Sequence, residues 1–313
     1  MTYYLTLLLC AQGSAPSSKF RQAGLMVGTD KVTTHAYETM YGIFLKQLSR
    51  RGAKLFEIGL GCDMGYGPGA SMKLWANLLP HAEVHFAEYD GACVDKWVRR
   101  HSIRRNDTRI VVGDQANDAD LERWIRETGG KFDAVVDDGG HTNMQIMNSF
   151  DALWPEVKPG GLYFIEDLQV GREPHYADHC GCVVAEMLSS WVQQLSIPET
   201  PPGLGSSWSG HIYPMPLDVD FVLCQREACV IGKKAVAKHL GIPQVRGALK
   251  RYCACAPPRR GAHWLWNEVR RAFSCVKGGL CSIYGAPMRG DAVLSRIFAV
   301  LSLAGCLYLL CRR

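Results

Sequence analysis

Short apolar runs recur through the first two thirds of the chain, each closed by glycine or acid and followed by a stretch of helical spacing. Residues 54–58, 84–87, 109–112, 132–136 and 161–165 are compact, β-branched or aromatic, and read as buried parallel strands. Between them lie segments such as Met72 to Leu79, whose apolar positions repeat with helical period. This alternation predicts a doubly wound, mostly parallel α/β sheet. Later, residues 219–224 and 228–232 are two more apolar runs separated by Gln225-Arg226-Glu227, which predicts a C-terminal antiparallel hairpin. The 313 residues, 47% hydrophobic and 21% charged, allow one principal domain of about 200 residues with appendages. We divide the chain into an N-terminal extension (1–27), a principal domain (28–234), a basic linker with an amphipathic helix (235–292) and an apolar tail (293–313).

The residues just after each strand carry the chemistry. The run at 132–136 leads into Asp137-Asp138-Gly139-Gly140-His141, and the run at 161–165 leads into Glu166-Asp167. Ligands of open α/β sheets bind at the carboxyl ends of strands. Acid oxygens gathered there suit Mg²⁺, Mn²⁺ or Ca²⁺, and an imidazole beside them suits proton transfer near neutral pH. The competing reading is that these are loop acids capping the next helices.

The strand at 54–58 runs into a glycine-rich loop, Gly59-Leu60-Gly61-Cys62-Asp63-Met64-Gly65-Tyr66-Gly67-Pro68-Gly69. Met64 stands where a dinucleotide fingerprint needs its third glycine, and no Gly-Lys-Ser/Thr follows, so neither a pyrophosphate loop nor a P-loop is indicated. A nucleoside cofactor without pyrophosphate remains, and S-adenosylmethionine is the common one. Glu88, behind the next strand, is placed to grip a ribose diol. Asp114 and Gln115, behind the one after, can hydrogen-bond an adenine edge.

With these motifs in this order, residues 28 to 234 resemble the class I S-adenosylmethionine-dependent methyltransferases, and within them the metal-dependent macrolide-sugar O-methyltransferase group. Gly28-Thr29-Asp30-Lys31, with His35, Tyr37 and Tyr41, is similar to that group's N-terminal segment, which helps to close over the cofactor. Glu57-Ile58-Gly59-Leu60-Gly61 is similar to its cofactor loop, Glu88 to its ribose acid and Gly113-Asp114-Gln115 to its adenine-side loop. The resemblance implies that Thr29, Tyr37, Glu57, Gly59, Gly61, Glu88, Asp114, Gln115 and Asp137 serve the cofactor, with Asp137 also behind the metal. It implies that Asp138, Glu166 and Asp167 hold Mg²⁺ or Mn²⁺ and that His141 is the catalytic base. The implied activity is methyl transfer to a hydroxyl of a small-molecule or sugar acceptor, a vicinal diol fitting a metal with open positions. The alternative is a membrane-tethered protein of the same fold that binds S-adenosylmethionine without catalysis. The segment beyond Lys234 matches nothing in the group.

Charge and cysteines add expectations about surroundings. The formal charge of +5 is concentrated after Lys234, around His263-Trp264-Leu265-Trp266 and Arg270-Arg271, and an apolar run follows at 297–311. We read this tail as a membrane anchor or interfacial helix on an anionic face, with no nucleic-acid partner expected because the aromatics do not interleave along the basic stretch. The apolar run at residues 3–11 has no preceding positive charge, so secretion is not expected and a cytoplasmic location, free or at a membrane face, is. Oligomeric state is open. Of 13 cysteines, Cys180/Cys182 and Cys253/Cys255 have C-x-C spacing, one residue short of a zinc pair. Cys62, Cys93, Cys224 and Cys229 are expected as buried free thiols in a reducing compartment.

Overall fold

The computed structural model describes residues 16–102, 109–173, 176, 178, 182–196, 213–235 and 249, and the backbone of 281–283 and 286–288. The chain divides into two compact units, residues 1–252 and 253–313. In the first, α1 (Pro16–Val27), α2 (Asp30–Thr33) and α3 (Glu38–Leu48) precede the alternation β1 (Lys54–Ile58), α4 (Ala70–Leu78), β2 (Glu83–Glu88), α5 (Gly91–Arg100), β3 (Ile110–Val112), α6 (Asp118–Thr128), β4 (Phe132–Asp137), α7 (Asn143–Leu153) and β5 (Val157–Ile165). Helix α8 (Val184–Leu195) leads to β6 (Val219–Gln225) and β7 (Ala228–Lys233). The described part of the second unit is a small antiparallel pair, β8 (Cys281–Ile283) and β9 (Ala286–Met288).

The seven strands of the first unit are ordered β3-β2-β1-β4-β5-β7-β6. β1 to β5 are parallel, whereas β7 runs antiparallel to β5 and β6 to β7, so the sheet is the expected doubly wound one with a reversed hairpin at its edge. Register explains how the chemistry gathers. Ile58 pairs with Asp137 and with Ala87, and Asp137 pairs with Ile165. The next residue of each strand, Gly59, Glu88, Asp138 and Glu166, therefore emerges along one edge.

The sheet is covered on both faces because its strands are apolar on both. On one side Phe20 of α1 stacks on Tyr41 of α3 with ring centroids 4.8 Å apart, and Tyr41 stacks on Phe164 of β5 at 4.7 Å. Trp75 of α4 closes this cluster edge-on. Burying each such ring stabilises by roughly 1.5–3 kcal/mol. Side chains alternate along a strand, so Phe56 faces the other way and meets Phe132 and Trp124.

No helix among the described residues is long and apolar enough to cross a membrane. The runs at 3–11 and 297–311 and the aromatic basic stretch at 263–273 lie outside the described residues, as do Cys180, Cys253 and Cys255 and most of the Pro/Gly-rich segment 196–216.

The cysteine expectation is corrected. Cys62 is disulfide-bonded to Cys93, and Cys224 to Cys229; Cys182 is also in a disulfide. Adjacent parallel strands β1 and β2 bring the loop after one beside the helix after the other, which places Cys62 next to Cys93. Cys224 and Cys229 are directly opposite in the β6/β7 ladder. These four residues thus give no support to free thiols or to a reducing compartment.

Candidate functional site

Two tight turns aim the acids. The backbone after β4 turns through Gly139 and Gly140 to His141, which has φ of 58°, and Asp167 after β5 has φ of 53°. Left-handed backbone is unfavourable for residues with a Cβ and clusters at functional sites. Thr142 then starts α7 with a reciprocal capping box to Gln145, which fixes the chain directly after His141. Opposite, Gly59 has φ of 103°, and a Cβ there would stand 2.0 Å from the Asp138 carbonyl oxygen. The loop after β1 can lie against the loop after β4 because that residue is glycine.

Asp138, His141 and Asp167 converge, each offering one atom within 4.8 Å of the others. His141 Nε2 lies 3.6 Å from Asp167 Oδ2, and its Nδ1 is buried with no hydrogen-bond partner among the described residues. Asp167 is held firmly: the Tyr37 hydroxyl donates to its Oδ1 at 2.8 Å and the Gln169 amide at 3.1 Å. His35 Nε2 approaches the same oxygen at 3.4 Å, while its Nδ1 meets Glu227 of the β6/β7 turn at 2.8 Å. Burial alone would raise the Asp167 pKa, but His141, Tyr37, Gln169 and His35 outweigh it and hold the carboxyl below its ordinary range. Asp138 goes the other way, raised chiefly by burial against the pull of Lys31 and His141.

Behind this group lies a buried cluster of opposite charges. The Lys31 ammonium donates to Asp138 Oδ2 and Glu166 Oε2, both at 2.7 Å, and lies 3.3 Å from Glu57 Oε1. Tyr41 donates to Glu166, and the Trp75 indole to Glu57. Burial raises the pKa of Glu166 well above and that of Glu57 above the ordinary value, with Lys31 opposing in both. Glu166 is 1% exposed and turned toward Lys31 and Tyr41, so it stands apart from the Asp138, His141 and Asp167 group.

A cleft of about 1240 Å³ opens along this edge. Gly59, Gly61, Glu88, Asp114, Gln115, Asp138, His141 and Asp167 line it. Glu88 accepts from the Leu60 and Asp90 backbone N–H groups, at 3.1 and 3.0 Å, which ties the glycine loop to β2. Gln115 donates to Asp137 Oδ1 at 2.7 Å and accepts from Gly140 N at 3.0 Å, so its amide braces the acid loop from inside. Asp137 also accepts from Ser149 and from Tyr163 at 3.0 Å, and burial pushes its pKa up to about 6. Asp137, Glu57, Thr29 and Tyr37 are buried rather than among the residues lining the cleft. Thr29 caps α2, with its hydroxyl accepting from Lys31 N.

Sequence reasoning does not anticipate Lys31 as the hub of three acids, nor His35 and Glu227 as the support of Asp167. Their partners lie 107, 135 and 192 residues away in the chain, and no local pattern announces them. Tyr176, whose ring stands 6.4 Å from that of His141 in an edge-on arrangement, escapes notice for the same reason.

No family model matches the chain. Mycinamicin VI 2''-O-methyltransferase of Micromonospora griseorubida is 30% identical over 177 residues, covering 53% of this chain and 41% of that protein. A 2'-O-methyltransferase of Streptomyces olivaceus, named for 8-demethyl-8-alpha-L-rhamnosyl tetracenomycin-C, is 33% identical over 157 residues, 49% of this chain and 39% of that one. Demethylmacrocin O-methyltransferase of Streptomyces fradiae is 31% identical over 146 residues, 45% and 34% respectively. The chain thus spans about two fifths of the length of the curated relatives it matches. Among solved structures, a methyltransferase from the mycinamycin biosynthetic pathway, in complex with Mg, SAH and mycinamycin VI, superimposes with a TM-score of 0.54 at 23% identity, covering 72% of this chain and 57% of that one. That likeness establishes the methyltransferase fold.

Proposed function

From this fold, and from a similarity in sequence to macrolide and sugar O-methyltransferases, we propose that the chain is an S-adenosylmethionine-dependent O-methyltransferase. It transfers a methyl group to a hydroxyl of a small-molecule or sugar acceptor with the help of Mg²⁺ or Mn²⁺. The observation that carries this reading is the convergence of Asp138, His141 and Asp167 on a cleft walled by the glycine loop.

The residues present fit both groups. Gly59 and Gly61, in positive-φ conformations, line the cleft where a nucleoside would lie, and Glu88 stands on it beside them. Asp138 and Asp167 offer the hard oxygens that a small divalent ion takes, with Glu166 as the further acid that the resemblance implies. When bound, such an ion favours ionisation of an acceptor hydroxyl and orients it.

The protein's own part is proton removal and alignment. His141 lines the cleft with Nε2 3.6 Å from Asp167 Oδ2, and its buried Nδ1 has no partner among the described residues. The imidazole can therefore take the acceptor's proton while Asp167 steadies the ring, a step worth about 10²–10⁴-fold. The sulfonium methyl is already electrophilic, so the remaining requirement is an in-line approach of the acceptor hydroxyl within the cleft. Curated relatives named for O-methylation at 2'' and 2' positions support a hydroxyl acceptor.

Incubation with methyl-labelled S-adenosylmethionine, Mg²⁺ and a panel of glycosides and vicinal diols tests the reading. Labelled acceptor is expected, with a rate about 10²–10⁴-fold lower in His141→Gln. A protein that binds S-adenosylmethionine yet labels nothing, or loses no rate in that variant, overturns it.

A further inference from the structure

Lys31 belongs to no step of the chemistry above, yet it is 1% exposed and faces three carboxylates. One of them is shared. Asp138 accepts from the Lys31 ammonium at 2.7 Å and is also a member of the Asp138, His141 and Asp167 group. Its side chain is 23% exposed and lines the cleft, whereas those of Glu57 and Glu166 are 0% and 2% exposed behind it. Asp138 is thus the open side of the cluster.

We infer that Lys31 is a built-in competitor of the divalent ion: its ammonium holds the acids in place without metal and must yield Asp138 when metal enters. The inference rests on the metal reading above. Two cations drawing on one carboxylate in a water-poor site repel each other strongly. The ammonium sits on a flexible four-carbon stem, so it can withdraw from Asp138 while remaining with Glu57 and Glu166. Its backbone stays fixed meanwhile, since Thr29 caps the single-turn α2 and Tyr37 N donates to the Lys31 carbonyl at 3.0 Å. Lys31 is therefore a positioning residue with an opposite effect on affinity. It keeps the carboxylates assembled for the ion and weakens the ion's hold, which leaves metal exchangeable.

Mn²⁺ titration of the full chain by electron paramagnetic resonance, in wild type, Lys31→Met and Lys31→Arg, tests this, with circular dichroism as the check on folding. Lys31→Met is expected to bind Mn²⁺ at least tenfold tighter than wild type, and Lys31→Arg no tighter. A loss of the cation that merely disordered the acids would weaken binding, so equal or weaker Mn²⁺ binding by folded Lys31→Met overturns the inference while leaving the metal reading intact. Binding by neither protein overturns both. Should Lys31→Met not fold, wild-type crystals grown with Mn²⁺ decide: an anomalous peak beside Asp138 with the ammonium withdrawn from Oδ2 supports the inference, and a peak with that contact unchanged overturns it.

Discussion

The hydroxyl of Tyr37 donates to Asp167 Oδ1 at 2.8 Å, and the Asp167 backbone N–H returns to that hydroxyl at 3.3 Å. A residue of the segment before the sheet thus sets the rotamer of an acid 130 positions later. Tyr37→Phe keeps the ring that stacks on His35 and removes the donor. Mn²⁺ affinity should fall about 10–100-fold, the usual cost of losing a group that orients a ligand. Isothermal titration checks this; unchanged affinity would show that Asp167 does not hold the ion.

The approach of Gly59 to the Asp138 carbonyl makes a second prediction. In Gly59→Ala the new methyl must push the two loops apart, and its backbone must keep a φ that alanine resists. Affinity for S-adenosylmethionine should drop at least tenfold, about 1.4 kcal/mol. Equilibrium dialysis at fixed Mg²⁺ measures it, and a wild-type value would remove the glycine loop from the cofactor site.

Much of this edge is legible in the sequence because it rests on local pattern. The apolar runs before Gly59, Glu88, Asp138 and Glu166 mark strand ends, and the three residues from Gln225 to Glu227 mark the hairpin. Pairing across the edge is not local. Gln115 and Asp137 read as cofactor residues, whereas in the fold they bond each other and share Ser149 of α7, with Tyr163 and Gly140 as further partners. Lys31 stands in the sequence only as part of the Gly28-Thr29-Asp30-Lys31 segment, and the three acids it meets lie on or directly behind three different strands. The Cys62 and Cys93 pair fails for a related reason, since spacing says nothing about which loops the strand order makes neighbours, whereas Cys224 and Cys229 face each other across the predicted hairpin itself.

The Cys62 to Cys93 bond closes a span of 31 residues between the glycine loop and α5. In the chain-entropy account its loss costs about 3–4 kcal/mol. Cys62→Ser should accordingly shift the urea midpoint down, and a reductant should do the same to the wild type. Mass spectrometry after alkylation of the unreduced, denatured chain gives the direct check, since an alkylated Cys62 would show that the bond does not form.

His85 gives a pH dependence remote from the site. Its ring is buried beside Glu83, with Nε2 2.5 Å from Oε1, and burial lowers its pKa below 6.5 despite that carboxylate. The fold therefore takes up this proton less readily than the unfolded chain does, so stability is lost as pH falls below about 6.5 and toward the folded value. Urea midpoints between pH 7 and 5 should decline less steeply in His85→Gln than in the wild type. Equal slopes would mean that the ring is not held neutral.

The central claim is that methyl transfer here depends on a divalent ion held by the acids after β4 and β5. The most direct measurement is the release of S-adenosylhomocysteine in the presence of a labelled acceptor, before and after EDTA and again after Mg²⁺ is restored. The account predicts that release stops with EDTA and returns with Mg²⁺. Full release in EDTA would contradict it.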